Sequence, residues 1–253
     1  GLVAADGAGS GQLGGALRIA GVDLGPLGFS WSPEDVRMLL ALGTPNPGAL
    51  ELALRWVETP ELSATLAPAA LEQLLLPLGW APPARGVRVS GKLVLDVAHL
   101  GAPLLGTVKL TFAGVRLPLP AAMSALAAGA TTEVSSRLRA QVEPPELVLS
   151  DLKVTHGGLV LTGEGRFAEQ GGEPRMWLTL SGQLSCAELA RSAVGGRVGG
   201  AVGQLVGGLA GRAVGGVVRV VVEIEADPRR LHEATVKPMV SVAKLSAPSV
   251  RCA

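Results

Sequence analysis

Residues 86–117 decide the fold, and they read GVRVSGKLVLDVAHLGAPLLGTVKLTFAGVRL. Apolar residues recur at every second position of the first half, with mostly polar residues between them. The pattern resumes after a Gly- and Pro-containing turn at residues 100–106. Because alternate side chains of a strand point to opposite faces, this period of two is typical of half-buried strands. The stretch therefore predicts a long antiparallel hairpin with one dry face and one wet face.

The same alternation returns over most of the chain, for example in residues 50–56, 159–167 and 218–224. We therefore predict a mainly β fold, an elongated, strongly twisted and partly curled antiparallel sheet with a few short helices. The apolar rows are expected to form one trough or core face, which is the candidate binding site. Its residues are Val87, Val89, Leu93, Leu95, Val97, Val108, Leu110, Phe112, Leu159, Leu161, Phe167, Leu178 and Leu180.

Three short segments predict helices. Ser32 followed by Pro33 and two acids has the composition of a helix start, and Gly43 would end that helix. Residues 68–78 and 118–128 are Leu- and Ala-rich and are predicted as two further short helices. All three are expected to close the ends of the sheet or its trough.

The 253 residues are enough for one large β domain. Residues 1–11 are predicted to be a flexible lead-in, and residues 12–253 a single β-rich domain. The first strand is placed around Leu17 and Ile19, and Gly25, Pro26 and Gly28 are expected to end it.

A Gly-rich segment, residues 187–216, interrupts the strand pattern and is predicted to be a helical or loop insertion. Small residues at every fourth position let a helix approach a partner closely. The partner of such a helix could be the sheet, a second subunit or a membrane surface, and a loop is the alternative. The stripe consists of Gly195, Gly199, Gly203, Gly207, Gly211 and Gly215.

The two cysteines, Cys186 and Cys252, allow two interpretations. They could form one structural disulfide, which would stabilise the fold by closing a long loop. They could equally be two buried thiols in a reduced protein. The spacing does not decide between them.

Composition argues against several functions. A net charge of +1 and 3% aromatic residues are poor material for binding nucleic acid. The three histidines stand alone, without metal-ligand spacing, and are predicted to lie at the surface or in turns. No catalytic pattern appears, so we expect no catalytic residues, no metal, no cofactor and no enzymatic activity. No apolar run reaches 18 residues, so any membrane anchor is expected upstream of this chain.

Three stretches carry a family resemblance. Residues 11–33 read GQLGGALRIAGVDLGPLGFSWSP, residues 66–79 read LAPAALEQLLLPLG before the strand at 87–97, and residues 147–167 read LVLSDLKVTHGGLVLTGEGRF. The first two resemble the type II secretion system protein N family, and the third resembles the repeat of the larger AsmA-like group. The first match depends on Gly25, Leu27, Trp31, Pro33, Leu39 and Leu40.

The resemblance implies a protein of the Gram-negative cell envelope. It implies a periplasmic domain associated with the inner membrane and a non-enzymatic accessory role in type II secretion. The expected partners are other envelope proteins of the secretion system. The AsmA-like relationship implies an alternative, a lipid-binding or lipid-transfer module that holds phospholipid acyl chains in an apolar β trough.

Overall fold

A computed structural model describes residues 9–19, 22–42, 48–56, 59–75, 80, 86–97, 103–115, 131–141, 143–157, 159–185, 217–230 and 233–243. These residues form thirteen strands and one short helix. The strands are β1 (Gly9–Ile19), β2 (Val22–Trp31), β3 (Asp35–Leu42), β4 (Gly48–Arg55), β5 (Glu61–Ala70), β6 (Arg88–Asp96), β7 (Leu104–Ala113), β8 (Thr131–Gln141), β9 (Glu146–His156), β10 (Leu159–Gln170), β11 (Glu173–Ser185), β12 (Val217–Ala226) and β13 (Thr235–Ala243). The helix is α1 (Leu71–Leu75).

All thirteen strands belong to one antiparallel sheet, and their spatial order is their order along the chain. Within the described residues each strand pairs only with its neighbours in sequence, and the sheet does not close on itself. The predicted mainly β architecture with very few helices is confirmed. A meander of this kind needs only local hairpin connections, which agrees with the regular alternation of strands and turns in the sequence.

The hairpin predicted for residues 86–117 is confirmed as β6 and β7. Their register runs without interruption from Arg88 opposite Ala113 to Asp96 opposite Leu105. Because cross-strand partners share a face of the sheet, every second pair is apolar and the pairs between them are mostly polar. Gly86 and Gly114, at one end of the hairpin, both have positive φ angles, a conformation that glycine adopts at little cost.

The helix predicted to begin at Ser32 is wrong, because this segment is a tight turn followed by β3. The Ser32 hydroxyl accepts hydrogen bonds from the backbone N–H groups of Glu34 and Asp35, as it would in a helix cap. The Ser32 backbone N–H, however, donates to the Asp35 carbonyl at 2.8 Å and closes a hairpin. The same side-chain chemistry therefore serves a two-residue turn, and β3 pairs with both β2 and β4.

Three other expectations need correction. β1 begins at Gly9, inside the predicted lead-in. Residues 25–28 do not interrupt the strands but lie within β2. Pro26 pairs with Ala16 of β1, and β1 has a register shift on each side of that pair. α1 covers only Leu71–Leu75, because β5 continues to Ala70. The predicted helix at 118–128 lies outside the described residues.

One irregularity near the middle of the sheet was visible in the sequence. The apolar period of β9 changes phase between Leu149 and Leu152, and the structure has a bulge there, with Asp151 at a φ of 51°. A bulge adds one residue to a strand and bends it. The shift keeps Leu149 and Leu152 on the same face of the sheet.

Candidate functional site

The candidate site is one whole face of the sheet. We define the apolar face as the set of residues that the strand registers place on the side of Leu93 and Val108. It continues through every pairing from β2 to β12. On β2 to β5 it holds Leu27, Phe29, Trp31, Val36, Met38, Leu40, Leu50, Leu52, Leu54, Leu62, Ala64, Leu66 and Ala69.

The residues expected from sequence to line a trough or core lie on this face. The register aligns Leu93 with Val108 and Val89 with Phe112 in the central hairpin. It aligns Phe167 with Met176 and Leu161 with Gly182 farther along the sheet. Sequence reasoning did not name the N-terminal part of the face among the site residues, although residues 50–56 carry the same alternation.

The half of the face on β8 to β12 is a packed core, which we call the packed half. Leu152, Leu161 and Val220 are 2%, 4% and 1% exposed. They form one cluster with Leu159, Leu180 and Val222, and Val134, Val154, Leu178 and Ile224 pack against it. The apolar surface of this half is thus withdrawn from water within the folded chain.

The half on β2 to β7, which we call the open half, remains largely uncovered. Met38 and Leu54 are 41% and 39% exposed, and most other apolar residues of these strands are half-buried. Its one well-buried cluster surrounds Ala69, which contacts Leu40, Leu50, Leu66 and Leu74. Since Leu74 belongs to α1, this helix covers the end of the open half where those side chains lie. The opposite end, near Trp31 and Leu54, has no such cover among the described residues.

Glycines on the apolar face are covered by leucines of the next strand. A Cβ atom at Gly91, Gly106, Gly163 or Gly182 would collide first with a backbone carbonyl of the neighbouring strand. At Gly91, Gly106 and Gly182 it would also collide with a leucine side chain, that of Leu110, Leu95 and Leu161 respectively. These leucines therefore fill the space that three of the glycines leave.

Among the described residues three buried polar side chains lie on the packed half, and each has a hydrogen bond. The hydroxyl of Thr132 is 2.6 Å from Nδ1 of His156, and both residues are buried. The Ser136 hydroxyl lies within hydrogen-bond distance of the carbonyls of Arg137 and Ser150, at 2.7 and 2.8 Å, and can donate to either. The histidines were predicted to lie at the surface or in turns; His156 ends β9 directly before the turn at Gly157, but it is buried, with 1% exposure. His99 and His232 lie outside the described residues.

The opposite face is polar and carries ion pairs. Arg166 lies 2.6 Å from Glu146, and Arg137 lies 3.3 Å from Asp151. A hollow of about 630 Å³ on the β1–β4 region is lined by both polar and apolar groups. Its Arg37 is held by Asp35 at 2.9 Å, so its charge is largely neutralised. Exposed ion pairs of this kind contribute little to stability.

Among the described residues, two carboxyl groups at turn ends of the sheet have shifted pKa values. Hydrogen bonds from Arg229 to Asp227 lower the pKa of this carboxyl to about 2. A hydrogen bond from Arg37 likewise lowers the pKa of Asp35. Both shifts stabilise the charged form, so these groups are structural ion pairs and not proton donors at neutral pH.

Other site chemistries receive no support from the described ranges. They contain no group of three or more His, Cys, Asp or Glu side chains that could hold a metal ion. Their one helix has five residues, so no helix there is long and apolar enough to cross a membrane. Cys186, Cys252 and the stripe from Gly195 to Gly215 lie outside these ranges, and the predictions about them stay predictions.

No protein-family model, curated protein or solved structure matches this chain. The resemblance to the type II secretion system protein N family is therefore untested by relatives.

Proposed function

We propose that this protein binds lipid and holds acyl chains against the open half of the apolar face. The observation that supports this proposal is the absence of charge on that face. Among the described face positions from Leu27 to Ala226 a single charged residue occurs, Glu169, at the turn between β10 and β11. An extended apolar surface of this size on one side of a sheet is typical of a binding surface.

The dimensions of the face suit acyl chains. Neighbouring strands lie about 4.8 Å apart, so the eleven strands β2 to β12 extend over roughly 50 Å. One leaflet of a bilayer is about 15 Å of hydrocarbon, half of the ~30 Å core. The six strands of the open half, β2 to β7, cover roughly 24 Å by the same spacing. Acyl chains lying along or across these strands would meet methyl and methylene groups throughout.

The energetic argument depends on what remains uncovered. In the packed half the chain buries the six residues of its central cluster, so less apolar surface is left for a ligand to cover there. In the open half side chains such as Leu52, Leu93 and Leu95 are only half-buried. Covering them with an acyl chain would remove additional apolar surface from water, at about 25 cal/mol for each Å². The open half is therefore the part of the face where lipid binding is favourable.

Mass spectrometry under native conditions, with lipid extraction of the same sample, tests this proposal. The wild-type chain should carry at least one phospholipid or fatty acid per molecule after purification from bacterial envelopes. Leu52→Asp places a charge in the open half and should abolish the bound lipid, because an acyl chain cannot hydrate a carboxylate. Val160→Asp is the matched control, since Val160 is 41% exposed on the polar face.

The variants must be shown to fold before the lipid content is compared. Circular dichroism and urea unfolding should give wild-type signals for Val160→Asp and a cooperative transition for Leu52→Asp. Bound lipid that survives in a folded Leu52→Asp protein would contradict a site on the open half. A wild-type chain that carries no lipid after mild purification, and takes up none from added fatty acid, would contradict the proposal altogether.

A second candidate function rests on the edges of the sheet. β1 and β13 each pair on one side only within the described residues, and an open edge can accept a strand from a partner. This observation favours the expected role as a periplasmic accessory protein of type II secretion that acts through contacts with other envelope proteins. β13 carries Lys237 and Pro238, which both disfavour pairing, so β1 is the better candidate edge.

A photo-crosslinking residue in place of Ser10 on β1, compared with one in place of Lys237 on β13, tests the edge proposal in cells. Crosslinks from Ser10 to a component of the secretion apparatus would support it. Crosslinks of equal yield from both positions, or from neither, would argue against strand addition at β1.

A further inference from the structure

One corner of the open half combines exposed apolar side chains with tryptophan. We define the aromatic corner as Phe29, Trp31, Met38, Leu54 and Trp56. We propose that this corner docks on the surface of a zwitterionic phospholipid bilayer, from which lipid reaches the open half. This inference rests on the proposed function and names where the site meets its source of lipid.

The tryptophans of the corner are held in place by the hairpin turn between β2 and β3. The Trp56 indole N–H donates to the Pro33 carbonyl at 2.6 Å, and the Trp56 backbone N–H donates to the Glu34 carbonyl at 3.2 Å. The Phe29 and Trp31 rings stack with centroids 5.7 Å apart. Trp56 nevertheless remains 43% exposed. An anchored, exposed indole with its N–H already bonded is suited to the boundary between headgroups and acyl chains.

Because of the position of α1, the two ends of the open half differ in how well they are covered. The helix packs on the Ala69 cluster at one end of β3 to β5, whereas the aromatic corner lies at the other end of the same strands. An acyl chain that enters the open half near Leu54 meets half-buried leucines until it reaches the covered end. The uncovered end is therefore the place where lipid can arrive and leave.

Charges at the same strand ends bear on the type of bilayer, and they lie on the polar face, behind the aromatic corner. There Arg37 is paired with Asp35 at 2.9 Å and lies 4.0 Å from Glu51, so acids and bases alternate. Glu34 and Arg55 add one exposed charge of each sign. This balance offers no attraction to an anionic surface, which needs an excess of Lys or Arg. It complements the paired positive and negative charges of phosphatidylcholine or phosphatidylethanolamine headgroups.

The packed half differs from the aromatic corner at the same ends of the strands. Its turns carry Glu173, Asp227 and Arg230 around a hollow of about 320 Å³ with a mainly charged lining, and Arg229 pairs with both acids. At these ends the strands of the packed half expose no large apolar side chain among the described residues, so they offer hydrocarbon little surface to cover. Of the turns at this end of the strands, those at the aromatic corner are therefore the ones chemically suited to contact hydrocarbon.

Flotation with phosphatidylcholine vesicles tests the inference on the full chain. Met38→Lys should reduce vesicle binding at least about tenfold, because a buried apolar contact is replaced by a charge. Leu39→Lys is the matched control: Leu39 is the next residue, is 50% exposed and lies on the opposite face of β3. It should bind as the wild type does, and so should the wild type with added anionic lipid or salt.

A fluorescence measurement on the wild type adds a result that does not depend on how Met38→Lys and Leu39→Lys fold. Bromine atoms on the acyl chains of the vesicles should quench the wild-type tryptophan emission. The quenching should largely disappear in Trp31→Phe/Trp56→Phe, which retains Trp80 and Trp177. Quenching that persists in this double variant would overturn the inference.

Two further outcomes separate the corner from the acyl-chain site. A protein that carries extracted lipid but does not bind vesicles overturns docking and leaves the proposed function standing. Vesicle binding through the corner without any extracted lipid supports docking and counts against the acyl-chain site. Binding that requires anionic lipid, or that Leu39→Lys weakens as much as Met38→Lys does, contradicts the inference.

Discussion

The two halves of the apolar face share one sequence pattern but differ in what covers them. In the packed half, on β8 to β12, a cluster of six leucines and valines is buried almost completely, as Leu152 and Val220 show, and partly buried residues pack against it. In the open half, on β2 to β7, residues with the same alternation stay half-exposed, and α1 covers only one end. A period of two therefore predicts which face is apolar, but it does not predict whether the folded chain itself covers the side chains of that face.

The largest difference between the halves is expected for leucine truncation. Leu152→Ala should lower the free energy of unfolding by about 2–5 kcal/mol, because the cavity it leaves is enclosed by well-packed neighbours. Leu52→Ala, the same change in the open half, should cost clearly less, since water already reaches that side chain. Urea unfolding of both variants measures the difference. Equal costs would show that the open half is as well covered as the packed half.

Glycine substitution should give an intermediate effect. Gly163→Ala should lower the free energy of unfolding by about 1–3 kcal/mol, because the new methyl group would overlap the Thr179 carbonyl, which cannot move without disturbing β11. Gly28→Ala in β2 is the control. Its methyl group would lie 3.8 Å from the nearest atom, the Leu39 carbonyl oxygen, and stability should stay the same or rise by up to about 1 kcal/mol. A tolerated Gly163→Ala would mean that the packed half has more room than its contacts indicate.

The smallest effect concerns acid, and it compares the turn ends of the two halves. Asp227 has a pKa of about 2 when folded, against an ordinary value of 3.8. Its charge therefore stabilises the fold above about pH 3.8, and this contribution is lost as the pH falls from there towards 2. Asp227→Asn should flatten that part of the stability profile. Asp35→Asn should flatten it in the same direction, because Arg37 lowers the pKa of Asp35 as well.

Unfolding curves recorded at several pH values in this window provide the measurement. Salt should reduce both contributions, since the ion pairs are exposed to solvent. A stability profile that Asp227→Asn leaves unchanged would show that this carboxyl has the same pKa in the folded and the unfolded chain.

Much of the fold could be predicted because its strands carry local signals. The hairpin of β6 and β7, the phase change at Leu149 and Leu152, and the turns at Gly157 and Gly171 are all visible in a single sequence. β3 was mistaken for a helix because Val36, Leu39 and Leu40 fit a helical period while Val36, Met38 and Leu40 fit a period of two. Only pairing with β2 and β4 decides between the two readings.

The candidate site was predictable in outline only. Alternation was enough to name the apolar rows of the central hairpin, but it could not reveal the aromatic corner. Trp31 and Trp56 lie 25 positions apart in the chain, and only the pairing of β2, β3 and β4 brings both to the same turn. The burial of His156 was missed for a similar reason. Its burial depends on the packed half around it and on Thr132 in the next strand.

The sequence by itself determined the class of structure, the antiparallel pairing and the dry side of each strand, because backbone geometry and side-chain alternation are local properties. It could not determine which apolar side chains are covered, because burial depends on residues distant in the chain and on how the sheet bends. Tertiary structure alone separated a packed half from an open half, and it placed the anchored indoles at the uncovered end. That separation, more than the pattern, supports a lipid as the ligand.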